Sequence, residues 1–215
     1  MFNSAPVTTL YLARHGQSEW NNQQRVTGQL DPALSPKGVE QSRALAQCLE
    51  HEHLAAIYTS ALQRTRETAQ PTAVAKQLAI QSLPALNEIH LGVLQGRFRD
   101  ERDPQAQAMW AEWQSDMLNH RVPGGESFGD LKQRVTRSLH DILPDHVGQA
   151  LLIVGHRGTN RVLMGTLMQW PPERWPDLRL RNKFLYRIRL GAAPEIATFT
   201  LSGNKKGMRH DGFIM

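Results

Sequence analysis

Apolar residues along this chain follow two periods. Thr8 to Ala13 (TTLYLA), Ala55 to Thr59 (AAIYT) and Ala150 to Val154 (ALLIV) are short, nearly unbroken apolar or β-branched runs, as expected of strands covered on both faces. Between them the spacing changes to three and four. Val39, Ser42, Leu45, Ala46 and Leu49 predict an amphipathic helix, with Ser35 as N-cap and Pro36 at its first position. Ser60 opens a helix running to about Gln77, inside which Pro71 predicts a kink or break. Ala79 to Leu83 reads as a short third strand. Phe128, Leu131, Val135, Leu139 and Ile142 share one face of a helix that stops at Pro144, and a further helix covers about 159 to 169. Phe184 to Leu190 and Ile196 to Leu201 close the chain as strands. Strands alternating with helices predict an α/β fold, an open and at least partly parallel sheet with helices on both faces.

Residues 97 to 125 break this rhythm. Charged Arg97 to Asp103 precedes Ala106, Trp110, Trp113 and Met117 at helical spacing, and Pro123-Gly124-Gly125 ends the segment. It reads as a helical insertion whose aromatic face packs as core. The 215 residues suit a single domain, with residues 203 to 215 as a tail. No apolar run approaches the ~20 residues of a membrane span. Met1 to Thr9 lacks a secretory pattern, so a cytoplasmic location is expected and no membrane partner. Cys48, the single cysteine, has no partner for an internal disulfide and reads as a small core residue.

Lysine and arginine outnumber acids 25 to 20, giving a formal charge of +5 and an anionic partner. The cations are scattered singly, apart from Lys205, Lys206 and Arg209 near the end. Nucleic-acid binders gather them into stripes, so the expected partner is a small phosphorylated substrate and no nucleic acid. A homodimer is left open.

Two of the nine histidines stand out by position: His15 and His156 each follow a predicted buried strand and precede glycine within two residues. Ligands of open parallel sheets bind beyond the carboxyl ends of the strands, so both imidazoles can share one crevice. Metal ligation lacks its pattern, because there is no H-E-x-x-H and neither histidine has a second ligand at suitable spacing. A cysteine phosphatase needs an arginine six residues after its nucleophile, where Leu54 follows Cys48. The phosphate-cradling G-x-x-x-x-G-K-[ST] loop is absent too. His51-Glu52-His53 reads as a solvated helix end.

The run Arg14-His15-Gly16-Gln17-Ser18-Glu19-Trp20-Asn21 resembles the R-H-G-[EQ]-[ST]-x-x-N motif of the histidine phosphatase (phosphoglycerate-mutase-like) superfamily. The likeness continues through Thr27 to Asp31, Leu34 to Gly38, Ser60 to Ala69, Leu86 to Gly92, Pro123 to Ser127 and Val154 to His156, covering roughly residues 8 to 190. It implies that family's open, mostly parallel sheet, with the helical insertion over the active site. It also implies a phosphohistidine formed on His15, with Arg14, Arg64 and His156 holding the transferred oxygens and Glu88 as proton donor and later base. Substrate contacts are implied for Asn21, Thr27, Gly28, Arg66, Arg157 and Gly158. The roles suit the residue types: transferred phosphoryl oxygens stay negative throughout, and planar guanidinium forks match them. No cofactor and no metal is implied.

Two departures bear on function. Arg157 stands where glycine is common in the family, adding a cation at the pocket mouth that favours a second anionic group on the substrate. The stretch Glu88 to Gly96 lacks the E-R-H-Y-G run and longer insertion that mark cofactor-dependent mutases, so it resembles the phosphatase branch. A phosphomonoesterase is therefore the leading expectation, a phosphoglycerate mutase the alternative, and a non-catalytic phospholigand binder the third reading.

Overall fold

Alternation along the strands divides the core in two. In a computed structural model, which describes residues 6–201 and 207–215, the elements follow the order β1 (Thr8–Arg14), a single turn α1 (Glu19–Asn22), α2 (Pro36–Cys48), β2 (Leu54–Thr59), α3 (Gln63–Lys76) and β3 (Ile80–Ser82). Then come α4 (Pro104–Ser115), α5 (Phe128–Ile142), β4 (Ala150–Gly155), α6 (Arg157–Leu167), β5 (Phe184–Leu190), β6 (Pro194–Thr200) and β7 (Arg209–Asp211). Seven strands form one sheet in the order β3-β2-β4-β1-β5-β6-β7. The first four run parallel, and β5, β6 and β7 continue the sheet antiparallel.

Tyr11, Ala13, Leu152 and Val154 pack with Ala44 and Leu45 of α2 and Ala69 and Ala73 of α3. Their sequence neighbours Leu10, Leu12, Leu151 and Ile153 point the other way, toward Leu131 and Val135 of α5 and Val162 and Leu163 of α6. Helices on both faces explain why β4 is apolar without alternation and buried from Leu151 to Gly155. The chain leaves β1 toward the α2 face and β4 toward the α6 face. The ends of these adjacent strands thus form a topological switch point, where a crevice opens.

The helix starts follow local chemistry. Ser35 Oγ accepts the Gly38 N–H at 3.2 Å with Pro36 at the first position, and Ser127 and Asp130 form a reciprocal capping box on α5. The predicted break at Pro71 does not occur, because α3 runs through it. A proline removes only one backbone donor, and Thr68, Ala69, Thr72 and Ala73 beside it are buried. The same helix begins three residues later than expected. Ser60 Oγ instead accepts the Leu62 N–H at 3.1 Å in the preceding turn.

Within the predicted insertion only α4 is α-helical. Arg97 is tied to Asp103 by two bonds of 2.8 and 2.7 Å, and Asp103 caps α4 by accepting the Ala106 N–H at 3.1 Å. The expected tail needs correcting as well. Lys205 and Lys206 lie outside the described residues, but β7 pairs with β6 and the Tyr186 hydroxyl donates to the Ile214 carbonyl at 3.1 Å. Phe213 packs on Trp170 and Tyr186. Cys48 is only half-buried, on the edge of the α2 side of the core. Among the described residues no helix is long and apolar enough to cross a membrane.

Candidate active site

Parallel pairing of Arg14 with Gly155 brings the ends of β1 and β4 level. His15 N–H donates to the Gly155 carbonyl at 2.9 Å, and the His15 and His156 rings stand 5.2 Å apart. The loop after His15 is held close to α2. A Cβ on Gly16 would lie 2.6 Å from the Gly38 carbonyl oxygen, so two glycines allow two backbones to touch. The Gly16 N–H donates to Thr68 Oγ1 at 2.9 Å.

The contact of His15 Nδ1 with its neighbour decides the tautomer. Nδ1 lies 2.7 Å from the Gly16 carbonyl oxygen, which can only accept, so Nδ1 carries the proton and Nε2 the lone pair. Burial first, then the Arg64 and Arg14 charges, hold the His15 imidazole well below the usual histidine range. The ring is therefore neutral near pH 7, as a nucleophile must be.

His156 is fully buried and stands behind His15. Its Nε2 is 2.8 Å from Ser60 Oγ, and its Nδ1 has no hydrogen-bond partner. Burial, followed by Arg64 and His15, lowers its pKa well below the usual value, so it is neutral before an anion arrives and not charged from the start.

The cavity in front of His15 has a volume of about 120 Å³. Six arginines line it, Arg14, Arg25, Arg64, Arg99, Arg157 and Arg161, against the single carboxylate of Glu88. Burial and then the like charge of Arg157 push Arg14 down to about 10. Arg64 is only 1% exposed. Its terminal nitrogens donate to the carbonyls of Leu30 at 2.7 Å and Gly28 at 2.9 Å, and pair with Asp31 at 3.2 Å. Yet the Nε atoms of Arg14, Arg64 and Arg99 are buried and unpaired, as is His156 Nδ1. An unmet buried donor costs about 1–3 kcal/mol, and three such guanidinium nitrogens on residues lining one cavity call for a ligand rich in acceptors.

Glu88 is anchored where α6 begins. Its Oε1 accepts the Ile89 and Gly158 N–H groups at 2.9 and 3.0 Å. A Cβ on Gly158 would run into that oxygen, so glycine here lets the carboxylate sit on the helix end. The backbone of Glu88 is fixed by Arg134, which donates to the carbonyls of Ala85, Asn87 and Glu88 at 2.9, 2.7 and 3.0 Å and pairs with Glu126. Sequence reasoning missed Arg134, which looks no different from the other charged residues of an amphipathic helix.

Asn21, Thr27, Gly28, Arg157 and Gly158 line the cavity. Asn21 Oδ1 also closes the turn at α1 by accepting the Ser18 N–H at 3.0 Å. The Gly158 amide is committed to Glu88 and not free for substrate. Arg66 is the misplaced residue: it is exposed on α3 and outside the cavity. Two residues along a helix turn a side chain by about 200°, so Arg66 cannot share the side that Arg64 presents. From the insertion, Trp110, Trp113 and Met117 roof the cavity, although Met117 lies beyond the end of α4. Arg99 and Arg161 also enter the lining unexpectedly.

The depressed histidines make acid stability a test of this geometry. When a folded pKa lies below the unfolded value, the unfolded chain binds more protons below about pH 6.5, and stability falls as pH falls. Each such histidine contributes a slope of up to about 1.4 kcal/mol per pH unit until its folded pKa is reached. Urea unfolding should therefore show a loss between pH 6.5 and 5, less steep in His156→Gln. A flat profile over that window contradicts the buried neutral pair.

The family model of the histidine phosphatase superfamily (branch 1) matches residues 10–195. A protein of Serratia proteamaculans named "Probable phosphoglycerate mutase GpmB" is 35% identical over 193 residues, 88% of each chain. Among solved structures, the mycobacterial glucosyl-3-phosphoglycerate phosphatase is 28% identical with a TM-score of 0.77, covering 85% of this chain and 90% of its own. The alpha-ribazole phosphatase of Shigella flexneri is 26% identical with a TM-score of 0.76, covering 84% and 89%.

Proposed function

The chain belongs to the histidine phosphatase superfamily, branch 1, and on that premise we propose that it is a metal-independent phosphomonoesterase that cleaves a small phosphorylated metabolite through a phosphohistidine on His15. The observation that carries this reading is the set of unpaired buried nitrogens of Arg14, Arg64, Arg99 and His156 around a neutral His15. A phosphoryl group supplies the acceptors that they lack.

The Nε2 lone pair of His15 attacks phosphorus as the bond to the substrate oxygen breaks. Arg14 and Arg64 hold the equatorial oxygens, doing the electrostatic work that dominates phosphoryl transfer. His156 takes up a proton as the dianion arrives, because a nearby anion favours its charged form, and donates through Nδ1 while Ser60 retains Nε2. Glu88 protonates the leaving alkoxide. It then takes a proton from the water that attacks the phosphohistidine, and inorganic phosphate leaves. The insertion shapes what lies beyond the phosphate, so Trp110, Trp113 and Met117 belong to substrate choice.

The mutase reading shares the first half-reaction and differs in whether a second hydroxyl replaces water. The names of the curated relatives favour it, whereas the solved neighbours and the short Glu88 to Gly96 stretch favour hydrolysis. Phosphate release measured across sugar phosphates, phosphoglycerates, phosphoserine and nucleotides, beside a coupled mutase assay with and without bisphosphoglycerate, separates the two. Release on at least one monoester, undiminished by a chelator, is the expected result. Isomerisation of phosphoglycerate faster than release would replace the proposal with the mutase.

A further inference from the structure

Beyond the catalytic cavity lies a second one of about 590 Å³, and the two share Gln114, Met117, Arg157 and Arg161 as a common wall. The outer cavity adds Arg179 and Arg181, so four guanidiniums face one carboxylate side chain, Asp177, with Met215 also in the lining. Among the described residues none of these four arginines is in an ion pair.

Arg161 is the informative one. It is 4% exposed, yet its partners are the Leu178 carbonyl at 3.0 Å and the Met117 sulfur at 3.2 Å, and a thioether is a weak acceptor. The same chain shows what a structural buried arginine looks like: Arg134 meets a carboxylate and three carbonyls. A buried guanidinium without a counter-ion is unfavourable, and Arg157, one helical turn earlier, adds like charge to it. Burial and that neighbour push Arg161 down to about 9.

We propose that the outer cavity is a second anion subsite, in which Arg161 and Arg179, with Arg157 at the shared wall, seat a carboxylate or phosphate carried by the leaving-group part of the substrate. The inference rests on the phosphoryl-transfer reading of the inner cavity, which places the ester at His15. Its consequence is a substrate class: small phosphomonoesters with a second anionic group. Neutral alcohols would leave Arg161 uncompensated and bind less well.

Matched probes isolate the second charge. 3-Phosphoglycerate differs from glycerol 3-phosphate in bearing a carboxylate in place of a hydroxymethyl group, and fructose 1,6-bisphosphate differs from fructose 6-phosphate by a second phosphate. Dissociation constants are measured by calorimetry on the His15→Asn chain, and kcat/KM on the unmodified chain. Within at least one pair the doubly anionic member should bind about tenfold more tightly or better, the scale of a charge-assisted bond. That ratio should fall to about twofold or less in His15→Asn chains that also carry Arg179→Ala or Arg161→Met. Arg179 is exposed, so its variant keeps the test valid if Arg161→Met does not fold. The pair that discriminates identifies carboxylate or phosphate. Ratios near one in both pairs, or a ratio that Arg179→Ala leaves intact, overturn the subsite. If binding discriminates but no probe is turned over, the phosphatase reading fails and the subsite stands.

Discussion

His15→Ala should reduce phosphate release by about 10³-fold or more, with the protein still folded and still binding phosphate. The size of the loss follows from what the side chain does. Its neutral ring, with Nδ1 donating to the Gly16 carbonyl at 2.7 Å, is the proposed nucleophile, and among the described residues His15 is the only imidazole in the cavity lining. His156 is engaged by Ser60 and lies behind it. What survives in the variant is positioning and charge stabilisation by Arg14 and Arg64, which alone give only residual catalysis. Thermal unfolding checks that the variant, which loses a buried ring, is still folded. Retention of more than about a tenth of the rate would remove His15 from the nucleophile's role.

Glu88→Gln should slow the first turnover on alkyl phosphates by about 10²- to 10⁴-fold, the range typical of a lost general acid, and slow it far less on p-nitrophenyl phosphate. A nitrophenolate leaves without help from a proton, whereas an alkoxide does not. Glutamine keeps an oxygen that can accept the Ile89 and Gly158 N–H groups now bound at 2.9 and 3.0 Å, so the start of α6 should hold its shape. Burst kinetics sharpen the reading: with p-nitrophenyl phosphate, the first turnover should stay fast while hydrolysis of the phosphoenzyme slows, because the same carboxylate activates water. Equal losses on both substrates in the first turnover would make Glu88 a positioning residue.

Much of the site was readable because its two central residues sit where a pattern ends. An apolar run that stops at a histidine and a glycine marks a strand end, as at Ala13 and Val154, and parallel topology then carries both ends to one edge. The resemblance supplied Arg64 and Glu88, whose positions depend on loop paths that no periodicity encodes. Its motif also included Arg66, where helical geometry turns the side chain away from the cavity. At Pro71 the helix does not break, because a local rule is outweighed by the packing of α3 against the sheet. Arg161 gave no warning at all: a cation in an amphipathic helix normally reads as solvent-facing, and only the arrangement of Leu178 and Met117 around it shows that it is buried. The strand Arg209–Asp211 is three polar residues without alternation, held by its neighbour's edge and by Phe213 and Ile214 after it.

The central claim is a covalent phosphohistidine on His15, and rapid-quench trapping tests it most directly. The protein is mixed with a labelled monoester that it turns over, quenched in alkali after one turnover or less, and digested for peptide mapping. With labelled p-nitrophenyl phosphate, whose leaving group needs no acid, Glu88→Gln should accumulate more of it, because hydrolysis of the intermediate is slowed. The account predicts label on the peptide bearing His15, stable to alkali, lost in mild acid and absent from His15→Ala. Phosphate release at full rate with no acid-labile label in either chain, or with label on a different residue, would contradict it.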